Sequence, residues 1–303
     1  MVLHPFLLSK SVLVAYYDNA LDFDGGMTLK IKKVFILGGD KRSLYARDYF
    51  ASEGYSVSSF GIGKENESLA DLKEADIAVM GLPATKDGFV NMPLSDKKIT
   101  FEEVMAKCPV GSLVFGGRFS EMDYSLAKKA GVLLQDYSED EVFKSENALY
   151  TAEGIIKYLV ENTAKSVRDL NILITGYGRI SQMLCSLLVS WPCSLTVYAR
   201  RNPARARCAL LGVDTISELK ELSGYDVIIN TVPADIFSGE ALSSVSEGAV
   251  IFDVSERPGF VNKELCHTHG IKLLYLPGIP LTSAPRSAGI TAAKAIERFT
   301  EGN

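Results

Sequence analysis

Short apolar, β-branched runs alternate with stretches of helical periodicity along most of the chain. Lys33–Leu37, Ile77–Met80, Leu113–Phe115 and Val132–Leu134 are such runs, and the more polar Tyr55–Phe60 also reads as a strand. Ile172–Thr175, Leu195–Tyr198, Asp226–Asn230, Ala249–Asp253 and Lys272–Tyr275 repeat the pattern. Unbroken apolar runs of this length are expected of parallel strands covered on both faces. Between them the spacing predicts a helix ending near Ser52 with Gly54 as its C-cap, then helices at Phe101–Met105 and Tyr124–Ala130. Ala148–Asn162 carries an apolar stripe of Ile155, Ile156, Leu159 and Val160. Later helices are predicted around Met183–Leu188, at Pro203–Leu211, near Ser217–Glu221, and at Ser287–Phe299. This alternation predicts an α/β fold: two Rossmann-like, doubly wound parallel-sheet domains with a cleft between them, linked by interdomain helices.

Glycines give the two halves different characters. Ile172–Thr175 runs into Gly176-Tyr177-Gly178-Arg179-Ile180-Ser181 and then the helical pattern. The first glycine allows a tight turn and the second lets backbone N–H groups approach a pyrophosphate at the helix N-terminus. Strand, glycine turn, helix and strand follow at dinucleotide-binding spacing, although Ser181 replaces the third glycine, which is expected to set helix and strand slightly farther apart. At the end of the second strand, where an NAD site carries a carboxylate, the chain reads Tyr198-Ala199-Arg200-Arg201. Two guanidiniums suit a 2′-phosphate, so NADP is the expected cofactor, with NAD the alternative and a solvated basic turn the plain one.

The first half opens with Gly38-Gly39-Asp40-Lys41-Arg42, which lacks the dinucleotide spacing. Ligands of open α/β sheets bind beyond the carboxyl ends of strands. Asp40, Arg42, Thr85, Lys86 and Arg118 all follow strands and are the expected substrate-binding residues, each with an exposed loop side chain as its plain alternative. Residues 29–147 are therefore read as a substrate domain and 148–286 as an NAD(P)-binding domain with its linking helix. Residues 287–303 are read as a helix returning toward the first domain, and 1–28 as a poorly ordered extension.

Composition narrows the class of function. Apolar content of 47% and charged content of 23% are those of a globular protein, and a net charge of −5 argues against a general nucleic-acid surface. No apolar run reaches the roughly 20 residues of a membrane span. Cys108, Cys185, Cys193, Cys208 and Cys266 are dispersed without a C-x-x-C, which fits reduced thiols in a cytosolic protein. His4, His267 and His269 form no metal-ligand cluster, and the last two read as a helix end.

With these pieces assembled, the chain resembles the family formed by the A subunits of dipicolinate synthase over about residues 31–300. The resemblance rests on Gly38-Gly39-Asp40 with Arg42, Thr151-Ala152-Glu153-Gly154, Gly176-Tyr177-Gly178-Arg179 and Asn230-Thr231-Val232-Pro233. Asp253 with Arg257-Pro258-Gly259, and Pro277-Gly278-Ile279-Pro280 to Ala284-Pro285, complete it. It implies oxidation of a cyclic hydroxytetrahydrodipicolinate or dihydrodipicolinate precursor to pyridine-2,6-dicarboxylate, at a branch from lysine biosynthesis during sporulation. It also implies the flavoprotein-like B component of dipicolinate synthase as partner, the mother-cell cytoplasm as setting, and leaves a homo-oligomer open. Thr231, Val232, Pro233, Pro277 and Gly278 would flank the nicotinamide. Arg257 and Arg286 would hold substrate carboxylates, and Glu153, placed near a helix start, would accept a proton or serve only as an N-terminal helix carboxylate. The alternatives are a cofactor-holding scaffold that activates the flavoprotein, and a 2-hydroxyacid or alanine-type dehydrogenase.

Overall fold

The computed structural model describes residues 31–63, 67–255 and 258–301. The expected N-terminal extension and Arg257 lie outside the described residues. The described residues divide into two compact units, one from residues up to 144 together with those from 285 on, the other from residues 145–284.

The first unit starts with β1 (Lys33–Leu37), α1 (Lys41–Ser52), β2 (Ser56–Phe60) and β3 (Ile77–Met80). A small antiparallel hairpin, β4 (Thr85–Lys86) and β5 (Phe89–Val90), precedes α2 (Phe101–Met105), β6 (Leu113–Gly116), α3 (Glu121–Ala130) and β7 (Leu133–Asp136). Five strands form a parallel sheet in the order β2-β1-β3-β6-β7, a doubly wound arrangement whose switch point lies between β1 and β3. Phe35 and Leu37 of β1 pack into the core on one face, Val34 and Ile36 on the other. That two-sided burial is why this strand reads as one apolar run.

The following helix α4 (Glu141–Asn162) begins seven residues before the expected Ala148. Asp140 explains the early start, because its Oδ1 accepts the Phe143 N–H at 2.7 Å. The second unit continues with β8 (Asn171–Thr175), α5 (Arg179–Leu188), β9 (Ser194–Tyr198), α6 (Asn202–Leu210) and β10 (Asp214–Ile216). β11 (Val227–Asn230), α7 (Gly239–Ser243), β12 (Val250–Asp253), α8 (Lys263–Thr268), β13 (Lys272–Tyr275) and α9 (Ile279–Ser283) complete it. Its six parallel strands lie in the order β10-β9-β8-β11-β12-β13, the dinucleotide-fold order, with the switch point between β8 and β11. The expected helix at Ser217–Glu221 is absent; those residues are irregular. Tertiary contact overrides local propensity there: Leu222 is fully buried and its N–H is held by Ser244 Oγ at 2.8 Å.

The last helix, α10 (Pro285–Glu301), belongs to the first unit and packs on α1. Gly289 permits the crossing, since a Cβ there would lie 2.2 Å from the Arg42 carbonyl oxygen. Glu297 fastens the same joint by accepting from Tyr49 Oη at 2.8 Å and Tyr55 Oη at 3.3 Å. Gly289→Ala is therefore expected to destabilise the first unit by about 2 kcal/mol, despite alanine's better helix propensity. Chemical denaturation checks this, and an unchanged midpoint would show that the helices part without strain.

Candidate functional site

The turn after β8 is built open. Gly176 has φ +81°, and a Cβ on it would sit 2.8 Å from Val232 Cγ2. Its N–H donates to the Tyr198 carbonyl at 2.9 Å, which continues the β8–β9 ladder into the turn. Gly178 is the N-cap of α5, no side chain caps that end, and a Cβ there would meet nothing within 4 Å. A ten-residue helix thus presents an N-terminus without a side-chain cap beside empty space at the sheet's switch point. Tyr177 and Ile180 are half-buried against the core on either side of Gly178 and hold the turn down. Burial raises the Tyr177 phenol, with Cys208 beside it, and pushes the Cys185 thiol up to about 12.

Ser181, in place of the third glycine, is fully buried at the helix–sheet contact. Its hydroxyl lies 2.9 Å from Thr231 Oγ1, which donates to the Thr175 carbonyl at 2.7 Å. The extra side chain is thus accommodated by a hydrogen bond between α5 and the loop after β11.

Arg200 and Arg201 are exposed at the carboxyl end of β9, and among the described residues neither is paired with a carboxylate. Arg201 is the N-cap of α6, and Arg205 turns instead to the side chain of Asn202. Val232 is half-buried and Pro233 exposed after β11. Pro277 and Gly278 are exposed ahead of α9, Gly278 taking φ +61° with open space beside it. All these residues belong to the carboxyl-end loops of the second sheet.

A polar set that the sequence pattern does not single out as site residues lies beneath them. Thr175, Asn230 and Asp253 end three neighbouring strands in register and are buried. Thr175 Oγ1 donates to Asn230 Oδ1 at 2.7 Å, and Asn230 Nδ2 donates to Asp253 Oδ1 at 3.0 Å. The signal available in the sequence is a polar residue closing each of three apolar strands.

In the first unit the equivalent turn is filled by its own groups. A Cβ on Gly38 would lie 2.6 Å from Met92 Cγ, and one on Gly39 would lie 1.9 Å from Ser43 Oγ. Asp40 caps α1 by accepting the Arg42 N–H at 2.9 Å. Arg42 returns its Nε at 2.9 Å and its Nη2 at 2.7 Å to the same carboxylate, and Nη2 also reaches the Leu82 carbonyl. The two side chains are only 14% and 9% exposed, so Arg42 is an internal cation rather than an open one. Thr85 is likewise engaged, its hydroxyl donating to Asp123 Oδ2 at 2.7 Å. Lys86 is exposed on the hairpin. Arg118 is exposed with φ 58°, and its N–H is held by Asp136 Oδ2 at 2.8 Å.

Glu153 is exposed in the interior of α4, not near the start of a helix, so no helix N-terminus acts on it. The cause is the seven-residue earlier start of that helix. Arg286, also exposed, is the second residue of α10 in the first unit. Among the described residues no helix is long and apolar enough to cross a membrane, and no cluster of His, Cys, Asp or Glu could hold a metal ion.

Two doubly wound parallel sheets, the second in dinucleotide-fold order with an open glycine turn at its switch point, place the chain among the Rossmann-type α/β proteins of dehydrogenase-like fold. Within that class it resembles the A component of dipicolinate synthase: residues 33–138 match the family described as the N-terminal domain of that component. The corresponding dipicolinate synthase protein of Bacillus subtilis is 24% identical over 282 residues, covering 88% of this chain and 95% of that protein. The crystal structure of its counterpart from Bacillus halodurans superposes with a TM-score of 0.81 at 25% identity, covering 89% and 97% of the two chains. A transhydrogenase from Sinorhizobium meliloti shares the fold more distantly, with a TM-score of 0.64 at 15% identity over 89% of this chain and 93% of its own.

Proposed function

We propose that this chain is an NADP-dependent oxidoreductase that forms dipicolinate, acting as the A component of a dipicolinate synthase. The observation that carries the reading is the open, uncapped turn at Gly178 on the switch point of the second sheet, in a chain similar to that component along most of its length. Gly176, Tyr177, Gly178, Arg179 and Ile180 supply backbone around the pyrophosphate, where the helix N-terminus favours the anion. Arg200 and Arg201 grip the 2′-phosphate, and Tyr198–Arg201 holds no carboxylate to repel it. Thr231, Val232 and Pro233, with Pro277 and Gly278, flank the nicotinamide. Oxidised nicotinamide held by these residues would supply the hydride acceptor for the dihydropyridine ring as that ring becomes aromatic.

The substrate's two carboxylates call for fixed cations, for which Lys86, Arg118, Arg257 and Arg286 are the candidates. Asp40, Arg42 and Thr85 shape the substrate loops of the first unit through the bonds described above. Glu153 accepts the proton released with the hydride. The same reading assigns the flavoprotein-like B component of the synthase as partner and the mother cell of a sporulating bacterium as setting.

Hydroxyacid dehydrogenases familiarly use a histidine for acid–base work, and among the described residues no histidine lies at the glycine turn, which disfavours that alternative. His267 and His269 close α8, which leads into the amino end of β13, the sheet edge opposite the glycine turn. His269 Nε2 is engaged there with Ser243 Oγ at 3.1 Å.

Titration of NADPH and NADH fluorescence tests the cofactor reading. Arg200→Ala is expected to weaken NADPH by about tenfold or more, the worth of one charge-assisted hydrogen bond, and to leave NADH unchanged. A tighter NADH site, untouched by the substitution, would defeat the 2′-phosphate assignment.

A further inference from the structure

We infer that Asn230 is a positioning residue of the nucleotide site, its buried carboxamide locking together the loops that follow β8, β11 and β12. The inference rests on the reading that the second unit holds a nicotinamide dinucleotide.

A carboxamide offers two donor hydrogens and an oxygen with two lone pairs. Asn230, fully buried, uses all four. Its Oδ1 accepts from Thr175 Oγ1 at 2.7 Å and from the Val232 N–H at 3.2 Å. Its Nδ2 donates to Asp253 Oδ1 at 3.0 Å and to the Val232 carbonyl at 3.4 Å. Both polar groups of the Val232 backbone are therefore tied to this one side chain. Asp253 Oδ1 goes on to accept from the Ser255 N–H at 3.1 Å and Ser255 Oγ at 2.6 Å, which extends the lock to the loop after β12.

The position of the lock gives it consequence. Thr175 immediately precedes Gly176, and Val232 is the side chain nearest the α-carbon face of that glycine. A shift of Val232 therefore moves matter into the turn assigned to the pyrophosphate. A buried network with every member satisfied specifies one arrangement, whereas an apolar substitute leaves the partners unpaired and the loops free to drift. Asn230 touches no reacting atom; it acts through Gly176 and Val232.

The chemistry of the amide supplies a test that a merely stabilising residue would not pass. Among the described residues, the charged group facing position 230 is Asp253 from β12, and β8 offers the neutral Thr175. Asn230→Asp keeps the shape but sets two carboxyl groups at hydrogen-bond distance, where one must hold a proton to replace the lost donor. Asn230→Leu keeps the branching and the number of heavy atoms, is bulkier, and removes every bond.

Nucleotide affinity of the full chain should be measured with NADPH and NADH at pH 6 and pH 8.5, well below the melting temperature, with circular dichroism confirming the fold. Relative to wild type at the same pH, Asn230→Asp is expected to bind about tenfold more weakly at pH 8.5 and within roughly threefold at pH 6. Asn230→Leu is expected to be about tenfold weaker at both. Should the leucine variant fail to fold, Thr175→Val removes a single bond to the amide and is expected to weaken binding about threefold or more. A folded Asn230→Leu or Thr175→Val chain that binds as wild type, or an aspartate variant without acid recovery, would overturn the role of Asn230 alone. A wild-type chain that binds neither nucleotide would overturn the reading beneath it as well.

Discussion

Gly178→Val is expected to abolish dinucleotide binding while leaving the protein folded. Gly178 has φ −84° and ψ −171°, an extended conformation open to any residue, and a Cβ there meets nothing within 4 Å. Valine is a poorer N-cap than glycine, so the helix end loses no more than about 1 kcal/mol. On the proposed function, the empty space beside Gly178 is where the pyrophosphate would approach the first N–H groups of α5. Branched methyl groups would hold the anion away and forfeit two or more charge-assisted hydrogen bonds, together about 3 kcal/mol or more. That corresponds to a loss of at least about a hundredfold in affinity. Fluorescence titration beside a thermal melt checks both halves. A variant that melts like the wild type and still binds nucleotide would place the anion elsewhere.

Arg42→Met is expected to be the most damaging single change in the first unit. Its guanidinium and the Asp40 carboxylate are nearly enclosed, and removing one partner of a buried pair leaves the other charge stranded, at a cost of about 3–5 kcal/mol. The Leu82 carbonyl loses a donor in the same step. Asp40 keeps only its helix-capping contact with the residue 42 N–H. Denaturant unfolding gives the number directly. A loss below about 1 kcal/mol, combined with a large rise in the KM for the dicarboxylate, would return Arg42 to the role of an open substrate cation.

The fold was legible in the sequence because parallel strands covered on both faces leave an unmistakable trace. Asn171–Thr175, Val227–Asn230 and Val250–Asp253 are apolar runs whose ends turn polar, and the pattern locates them within a residue or two. The short edge strand Asp214–Ile216 left no such trace, since one neighbour suffices to pair it and its outer edge needs no apolar cover. The apolar stripe of α4 begins later than the capping aspartate at position 140, so the pattern does not mark the start of that helix.

The candidate site divides along a similar line. The glycine turn and the two arginines after β9 are local in sequence, so spacing and composition reveal them. Whether a charged side chain is open or internally engaged depends on partners far along the chain. Arg42 meets a carbonyl forty residues away, and Thr85 an aspartate thirty-eight away. The amide network at Asn230 spans strands more than fifty residues apart, so the motif Asn230–Pro233 marks the position without showing its partners.

On the proposed function, this chain moves a hydride from a dihydropyridine dicarboxylate to a pyridine nucleotide. The direct measurement supplies enzymatically generated hydroxytetrahydrodipicolinate and NADP, with and without a candidate flavoprotein partner, and follows dipicolinate and NADPH together. One NADPH is expected for each dipicolinate formed, with both products dependent on this chain. Dipicolinate formed without NADPH would contradict the claim and make the chain a helper to a flavin that takes the electrons.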